Sequence, residues 1–234
     1  TGRNKFSIPN HFDKAYEIET ELERRKKTKE LELVNVLPSN IKCIYIRQNQ
    51  ALGLGHAVLC AKPAVGNNPF AVILADDMIL SNTNGCLKQM AKKYIEFNSS
   101  IIAVEKVKKE HLHKYGIIQG SKINQSDWEL KNIVEKPKME NAPSDMGVVG
   151  RYILNASIFD ILENTKKGAG EEIQLTDALA SQITKEKVYA YEFEGKRFDC
   201  GNKLGFLKAT IEYGLHHGEL AEDLKNYLKN LDLS

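Results

Sequence analysis

Four short stretches of the chain carry residues whose types and spacing suit phosphate and metal chemistry. Phe70–Ala75 is an unbroken apolar run that leads straight into Asp76-Asp77. Ligands of open α/β sheets sit outside the carboxyl ends of the strands, so a carboxylate directly after a buried strand is placed for function. Such a hard oxygen ligand suits Mg²⁺, which takes one or two carboxylates and fills its shell with substrate phosphates and water. The alternative is that Asp76 and Asp77 only cap the next segment, and the dipeptide alone does not choose between the two. Phe198-Asp199-Cys200-Gly201 supplies a second acid ahead of a helix that starts near Leu204. Two acids from distant segments could converge on one metal, or Asp199 could serve only as a helix cap. Glu135-Lys136-Pro137 ends a strand with a carboxylate, an ammonium and a rigid stop. Lys136 is a compact charge suited to a phosphate, or else half of a surface ion pair. Gly53-Leu54-Gly55 removes Cβ atoms where a loop enters a helix, which lets backbone N–H groups approach a ligand or simply makes a turn.

Other chemistries find no support. The Gly53–Gly55 loop has neither the G-x-G-x-x-G nor the P-loop pattern, so a dinucleotide fingerprint and a P-loop NTPase are unsupported. No G-x-S-x-G or Ser/His/Asp arrangement occurs, and no cysteine has an evident base beside it, so a protein nucleophile is not indicated. His111-Leu112-His113 lacks a third zinc ligand and reads as solvated loop histidines.

These residues need a frame, and the composition provides one. The 234 residues are 42% apolar and 27% charged, a globular balance with material for one sizeable domain. Thirty-three Lys plus Arg against 31 Asp plus Glu leave a formal charge of +2, too small for a nucleic-acid surface, so any bound anion is met by local groups. The longest apolar stretch, Phe70–Ala75, falls far short of the roughly 20 residues of a membrane span, and no leader is visible. Cys43, Cys60, Cys86 and Cys200 are unevenly spaced, which fits buried thiols in a reducing cytoplasm. Thr1-Gly2-Arg3-Asn4 carries no start methionine and reads as the turn after a strand that precedes the given sequence.

Periodicity then assigns the elements. Asp13 to about Val36 reads as a solvated helix, with its basic run Arg24–Lys27 neutralised by neighbouring glutamates. After Pro38, Ile41–Arg47 reads as a strand, His56–Lys62 as a helix, and Phe70–Ala75 as a parallel strand buried on both faces. Leu87, Met90, Ala91, Tyr94 and Ile95 form one helical stripe, followed by a strand at Ser100–Val104. This alternation implies a doubly wound sheet. Tyr115–Gln119, Leu130–Val134 and Val148–Leu154 then read as strands of a mixed or antiparallel extension. Helices follow at Ser157–Glu163 and from an N-cap at Thr176 to about Ile183, and Val188–Phe193 is a strand that turns at Gly195. Leu204, Leu207, Ile211 and Leu215 share one helix face, and Leu220 to Leu231 supply another, both expected to pack on their own sheet.

In this order the segments resemble one family, the bacterial UTP:glucose-1-phosphate uridylyltransferases. The resemblance runs through Asn10–Asp13, Arg47-Gln48, Leu52–Ala57, Phe70–Asp76, Tyr115-Gly116, Val134–Pro137, Val149–Tyr152, Ile173–Asp177 and Asp199–Gly201. It implies a Rossmann-like α/β nucleotidyltransferase with a mixed central sheet flanked by helices. Residues 1–234 would form one domain, with 105–150 a small β-rich sugar-binding extension and 204–234 its C-terminal helices. The implied reaction joins UTP and glucose 1-phosphate to give UDP-glucose and pyrophosphate. The sugar phosphate oxygen is itself the nucleophile, which agrees with the missing protein nucleophile.

The resemblance also implies roles. Gln48 and the backbone at Gly53 would read the uracil edge, and Asp76 and Asp199 would hold Mg²⁺. Gly116, Glu135 and the backbone near Val149 and Gly150 would bind the glucose, while Lys136 and Lys203 would face the phosphates. Asp76, Lys136 and Asp199 are thus the catalytic set, in a cytoplasmic homodimer or homotetramer. The family's first strand and its glycine-rich nucleotide loop do not occur in the given sequence; were these 234 residues the whole polypeptide, the expectation would be that sugar and metal contacts largely persist while turnover is nearly lost. The competing readings are a thymidylyl- or adenylyltransferase on the same sugar phosphate, and a non-catalytic sugar-nucleotide-binding fragment.

Overall fold

A computed structural model describes residues 1–2, 5–35 and 41–232. The turn expected at Arg3-Asn4, the helix end at Val36 and the break at Pro38 lie outside the described residues. Among those described are eight strands, β1 (Phe70–Ile73), β2 (Asp77–Leu80), β3 (Ser100–Lys106), β4 (Gly116–Lys122), β5 (Asp127–Glu135), β6 (Met146–Leu154), β7 (Val188–Glu192) and β8 (Lys196–Asp199). The helices are α1 (Ser7–Phe12), α2 (Tyr16–Arg24), α3 (Thr28–Val34), α4 (Leu54–Leu59), α5 (Lys62–Val65), α6 (Cys86–Phe97), α7 (Ser157–Asn164), α8 (Leu175–Ile183), α9 (Lys203–Leu215) and α10 (Ala221–Lys229).

Six strands form one mixed sheet in the order β1-β6-β3-β7-β5-β4, and β2 pairs with β8 in a separate ribbon. β6 is antiparallel to both β1 and β3, while β3 and β7 are parallel. β1, β3 and β7 therefore point the same way, as the alternation of strands and helices implies, but β6 is wedged between β1 and β3. That corrects the expectation of β1 as a doubly buried parallel strand. β6 takes the central place because eight of its nine residues are buried, whereas β1 alternates between half-buried and exposed. The β4–β5 hairpin extends the same sheet and does not form a second one.

Period 2 divides the core between the two faces of the sheet. Ile102, Val104, Val148, Tyr152 and Leu154 pack beneath Phe159 and Leu162 of α7 and Leu175 and Leu179 of α8. Their neighbours Ile101, Ala103, Val149 and Ile153 face the other way, onto Cys86 and Met90 of α6. Ring stacking closes both layers, Phe70 on Phe159 at 4.8 Å and Phe97 on Tyr189 at 4.2 Å.

Several sequence expectations are corrected. The single helix from Asp13 splits into α2 and α3, because Lys26 turns left-handed (φ 57°) after Arg24 and Arg25 both fold back onto Glu21. Ile41–Arg47 forms no strand; its only backbone neighbour is Thr1, which hydrogen-bonds Ile46 and Gln48 among the described residues. Ile95 of the α6 stripe is exposed. The apolar face of α9 does not pack on the sheet, since Leu204 and Leu207 are 61% and 57% exposed, with Phe206 beside them at 58%. Of the four cysteines only Cys86 is buried, and Cys43 is exposed.

Candidate functional site

A cleft of about 340 Å³ opens where β1 ends, walled by the start of β4, the end of β5, the middle of β6 and the first turn of α8. Each wall has a local cause. β1 stops at Ile73, and the chain then crosses through Leu74–Asp76 into β2, which sets Asp76 at the cleft edge. Asp77 is the first residue of β2 and lies directly opposite Asp199, the last residue of β8. The backbone stitches the two segments, with Cys200 N–H donating to Asp76 O at 2.7 Å. The two outer carboxylates meet over Gly201, where a Cβ would lie 3.0 Å from Asp199 Oδ1 and 3.3 Å from Asp76 Oδ2.

That donor set fits a small hard cation. Two carboxylate oxygens converge over a residue with no side chain, and among the described residues no third His, Cys, Asp or Glu joins them in a metal-binding group. Such a pair leaves the rest of a shell to phosphates and water, the pattern Mg²⁺ favours. The helix-cap alternative for Asp199 is answered directly. Asn202 caps α9, accepting the Gly205 N–H at 2.8 Å, while Asp199 Oδ1 accepts only the Gly201 N–H among described donors.

The opposite wall combines a glycine with a carboxylate and a hydroxyl. Gly116 opens β4 with Glu135 Oε2 and Thr176 Oγ1 each 3.3 Å from its would-be Cβ, so a side chain there would fill the cleft. Lys136 closes β5 in a left-handed conformation (φ 44°), donating its N–H to Tyr115 O and holding its ammonium 3.2 Å from Glu135. Gly150 is fixed by close approach, since a Cβ would lie 2.6 Å from Asp77 Oδ2. Its N–H donates to that oxygen at 2.7 Å, so Gly150 contributes space and its neighbour Val149 contributes wall.

The cleft thus gathers Asp76, Gly116, Glu135, Lys136, Val149, Gly150 and Asp199. Gln48, Gly53 and Lys203 are not in its wall. Gln48 Nε2 donates to Gly53 O at 3.1 Å and contacts His56 Nδ1 at 3.0 Å, on the far side of Leu54. Gly53 has φ 95°, and a Cβ there would meet Glu172 Cβ at 2.8 Å and Ile173 O at 2.9 Å, so packing of this loop on the α8 approach already demands glycine. Lys203 opens α9 as an exposed residue.

Sequence reasoning missed several wall residues. Arg197 on β8 and Asp77 form a buried pair, with Nε to Oδ1 at 2.5 Å. Burial works against the Arg197 charge, but the Asp77 bond and charge, with Tyr115 and Glu105, outweigh it and raise the guanidinium pKa. Tyr152 is buried in the same wall, and that burial, with the charges of Glu135 and Asp77, raises its hydroxyl pKa. Thr176 is not the N-cap of α8, which is Gln174; it sits in the first turn beside Gly116. The signal in the sequence is that Tyr152 and Thr176 fall within the resembling segments Val149–Tyr152 and Ile173–Asp177.

A cleft with paired acids at the strand ends of an α/β sheet defines a nucleotidyltransferase-like site, and the chain belongs to the nucleotidyl transferase family, which residues 3–214 match. It is 46% identical to the UTP–glucose-1-phosphate uridylyltransferase of Staphylococcus epidermidis, covering 100% of this chain and 81% of that protein. A UTP-bound UGPase from Acinetobacter baumannii matches with a TM-score of 0.91 at 41% identity, covering 99% of this chain and 81% of that one. A UDP-glucose pyrophosphorylase complexed with UDP-glucose matches with a TM-score of 0.81 at 42% identity, covering 93% and 80%. The family that the sequence resembles is therefore the one it belongs to.

Proposed function

We propose that the cleft is where UTP and glucose 1-phosphate are joined. The chain is a UTP:glucose-1-phosphate uridylyltransferase that makes UDP-glucose and pyrophosphate. The single observation carrying the site assignment is the convergence of Asp76, Asp199 and Lys136 in one cleft with Gly116 and the Glu135 carboxylate. Asp76 and Asp199 would hold Mg²⁺, which supplies charge neutralisation at the nucleotide phosphates. Lys136 adds a positive charge to the same phosphates, and Glu135 accepts hydrogen bonds from glucose hydroxyls. The sugar phosphate oxygen forms a bond to the α-phosphorus as the bond from that phosphorus to pyrophosphate breaks. No protein group is consumed, so rate comes from alignment and charge.

Gln48 and the Gly53 backbone are assigned to the uracil edge and Lys203 to the outer phosphates, at the margins of the cleft. The exposed apolar residues Leu204, Phe206, Leu207 and Ile211 on α9 support a homodimeric or homotetrameric assembly. The four unpaired thiols support a cytoplasmic setting; no helix among the described residues is long and apolar enough to cross a membrane.

The test is Mg²⁺-dependent pyrophosphate release from UTP and glucose 1-phosphate, with each other nucleoside triphosphate in turn and an Asp76→Ala control. Release with UTP alone, lost in the control, is expected. Preference for dTTP or ATP would return the chain to the thymidylyl or adenylyl reading. Silence from a folded sample that binds UDP-glucose would leave a binding-only role.

A further inference from the structure

The ribbon that carries the paired acids is small. β2 and β8 are four residues each, paired from Asp77↔Asp199 to Leu80↔Lys196. A two-stranded ribbon is marginal by itself, so its attachments to the six-stranded sheet decide where Asp76 and Asp199 point. Arg151 of β6 holds the backbone of the approach, donating to Leu74 O at 3.0 Å and to Asp77 O at 2.5 Å, and the side-chain attachments converge on one buried ion pair. Arg197 Nε donates to Asp77 Oδ1 at 2.5 Å, tying β8 to β2. Arg197 Nη1 donates to Glu105 Oε1 on β3 at 2.7 Å and to the Tyr115 hydroxyl ahead of β4 at 3.2 Å. The guanidinium also lies 5.0 Å from the Tyr115 ring centroid. The second oxygen of Asp77 accepts the Gly150 N–H of β6 at 2.7 Å. Both Asp77 oxygens are thereby engaged within the protein, and they pin the ribbon to the sheet on two sides.

We propose that Arg197, acting through Asp77, is a positioning residue for the carboxylates of Asp76 and Asp199. By fixing the ribbon against β3, β4 and β6 it sets the gap between the two oxygens that meet over Gly201. The inference rests on the reading that those two carboxylates hold the divalent metal. A planar fork making three bonds at once is needed for this. A lysine would keep the charge but not the geometry.

The experiment is a Mn²⁺ titration of the full chain followed by electron paramagnetic resonance, with UDP-glucose at fixed concentration. It is run beside a metal-free measurement of UDP-glucose affinity and a thermal melt. Arg197→Lys is expected to weaken Mn²⁺ binding about tenfold or more, as loss of a group that orients metal ligands does, while metal-free UDP-glucose affinity falls by a clearly smaller factor. A folded Arg197→Lys protein with wild-type Mn²⁺ affinity overturns the inference. Should that variant not fold, Glu105→Ala decides on the same titration, because the Glu105 side chain is 31% exposed and truncating it removes one anchor only. Weaker Mn²⁺ binding there supports the role and unchanged binding overturns it. Asp76→Asn separates the two levels: wild-type Mn²⁺ affinity in that variant sinks the metal reading itself, whereas its loss there beside an unaffected Arg197→Lys sinks only the positioning role.

Discussion

Gly201→Ala tests the paired-acid site without removing any charge from it. The new methyl would stand 3.0 Å from Asp199 Oδ1 and 3.3 Å from Asp76 Oδ2, closer than ordinary contact, so a carboxylate must yield by a few tenths of an ångström. Both atoms are the ends of side chains, Gly201 is exposed, and its φ lies outside the left-handed region. The cost to folding is therefore small, within about 0.5 kcal/mol as for most surface changes. The cost to function is not. The methyl occupies the wedge in which, on the proposed function, both oxygens would face one cation, and misplacement of about 1 Å costs on the order of a hundredfold in rate. A shift of a few tenths, with the wedge filled, is expected to raise the half-saturating Mg²⁺ concentration about tenfold, close to 1.4 kcal/mol. Pyrophosphate release would be followed against Mg²⁺ concentration, with thermal melting on the same samples. An unchanged melt with a right-shifted Mg²⁺ curve, partly recovered at saturation, is the expected pattern. A folded variant with a wild-type Mg²⁺ curve would refute the assignment of Asp76 and Asp199 as a pair.

Other positions give independent checks. Lys136 is left-handed (φ 44°), so Lys136→Gly should be about 1 kcal/mol more stable than Lys136→Ala by urea unfolding, while both lose turnover to the same extent; equal stabilities would count against backbone strain there. Asp127 is fully buried, with Oδ2 bonded to Lys93 Nζ at 2.7 Å and to Asn124 at 2.6 Å and Oδ1 unpartnered. Lys93→Met should cost about 3–5 kcal/mol by leaving that charge uncompensated, and a loss below 1 kcal/mol in denaturant titration would contradict this. Gly53→Ala should cost about 1–3 kcal/mol, because φ is 95° and Glu172 Cβ lies 2.8 Å from the added atom; a wild-type melting temperature would show that the loop relaxes freely. Burial first, and then the charge of Glu135, raises the pKa of Asp177 above the usual carboxylate range. The folded state then holds this proton more tightly than the unfolded one, so ionising Asp177 costs stability at neutral pH and the cost fades on acidification. Asp177→Asn should melt higher than wild type at pH 7, with the gap closing as pH falls through the raised pKa; a gap that widens in acid would reverse the sign.

How much of this was legible in the sequence depends on range. β1 and Asp76 could be read because the signal is local: an apolar run and the acid that follows it. The direction of β6 could not, since a run such as Met146–Leu154 suits a central strand of either polarity, and only its partners settle which. The α9 stripe shows the same limit. Periodicity reveals that Leu204, Leu207 and Ile211 share a face but not what meets that face. Arg197 is the extreme case. Its partners Asp77, Glu105 and Tyr115 lie 120, 92 and 82 residues away, so no spacing near β8 marks it. Gly53 shows a related limit. Its loop suits a turn or a ligand, and because Glu172 and Ile173 already require the missing Cβ, the glycine by itself does not mark a ligand.

Asp76-Asp77 posed a choice between chemistry and scaffold, and the structure shows why a choice was the wrong form. Asp76 stands in the turn between β1 and β2, and Asp77 is the first residue of β2. Asp77 is buried, and its two oxygens are taken by Gly150 and Arg197. Asp76, one residue earlier and exposed, is left to face Asp199 over Gly201. Because Asp77 pairs with Asp199 across the ribbon, the inward acid fixes the register in which the two outward acids meet. The two neighbouring aspartates therefore hold different places, Asp77 anchoring the ribbon to the sheet and Asp76 facing the cleft.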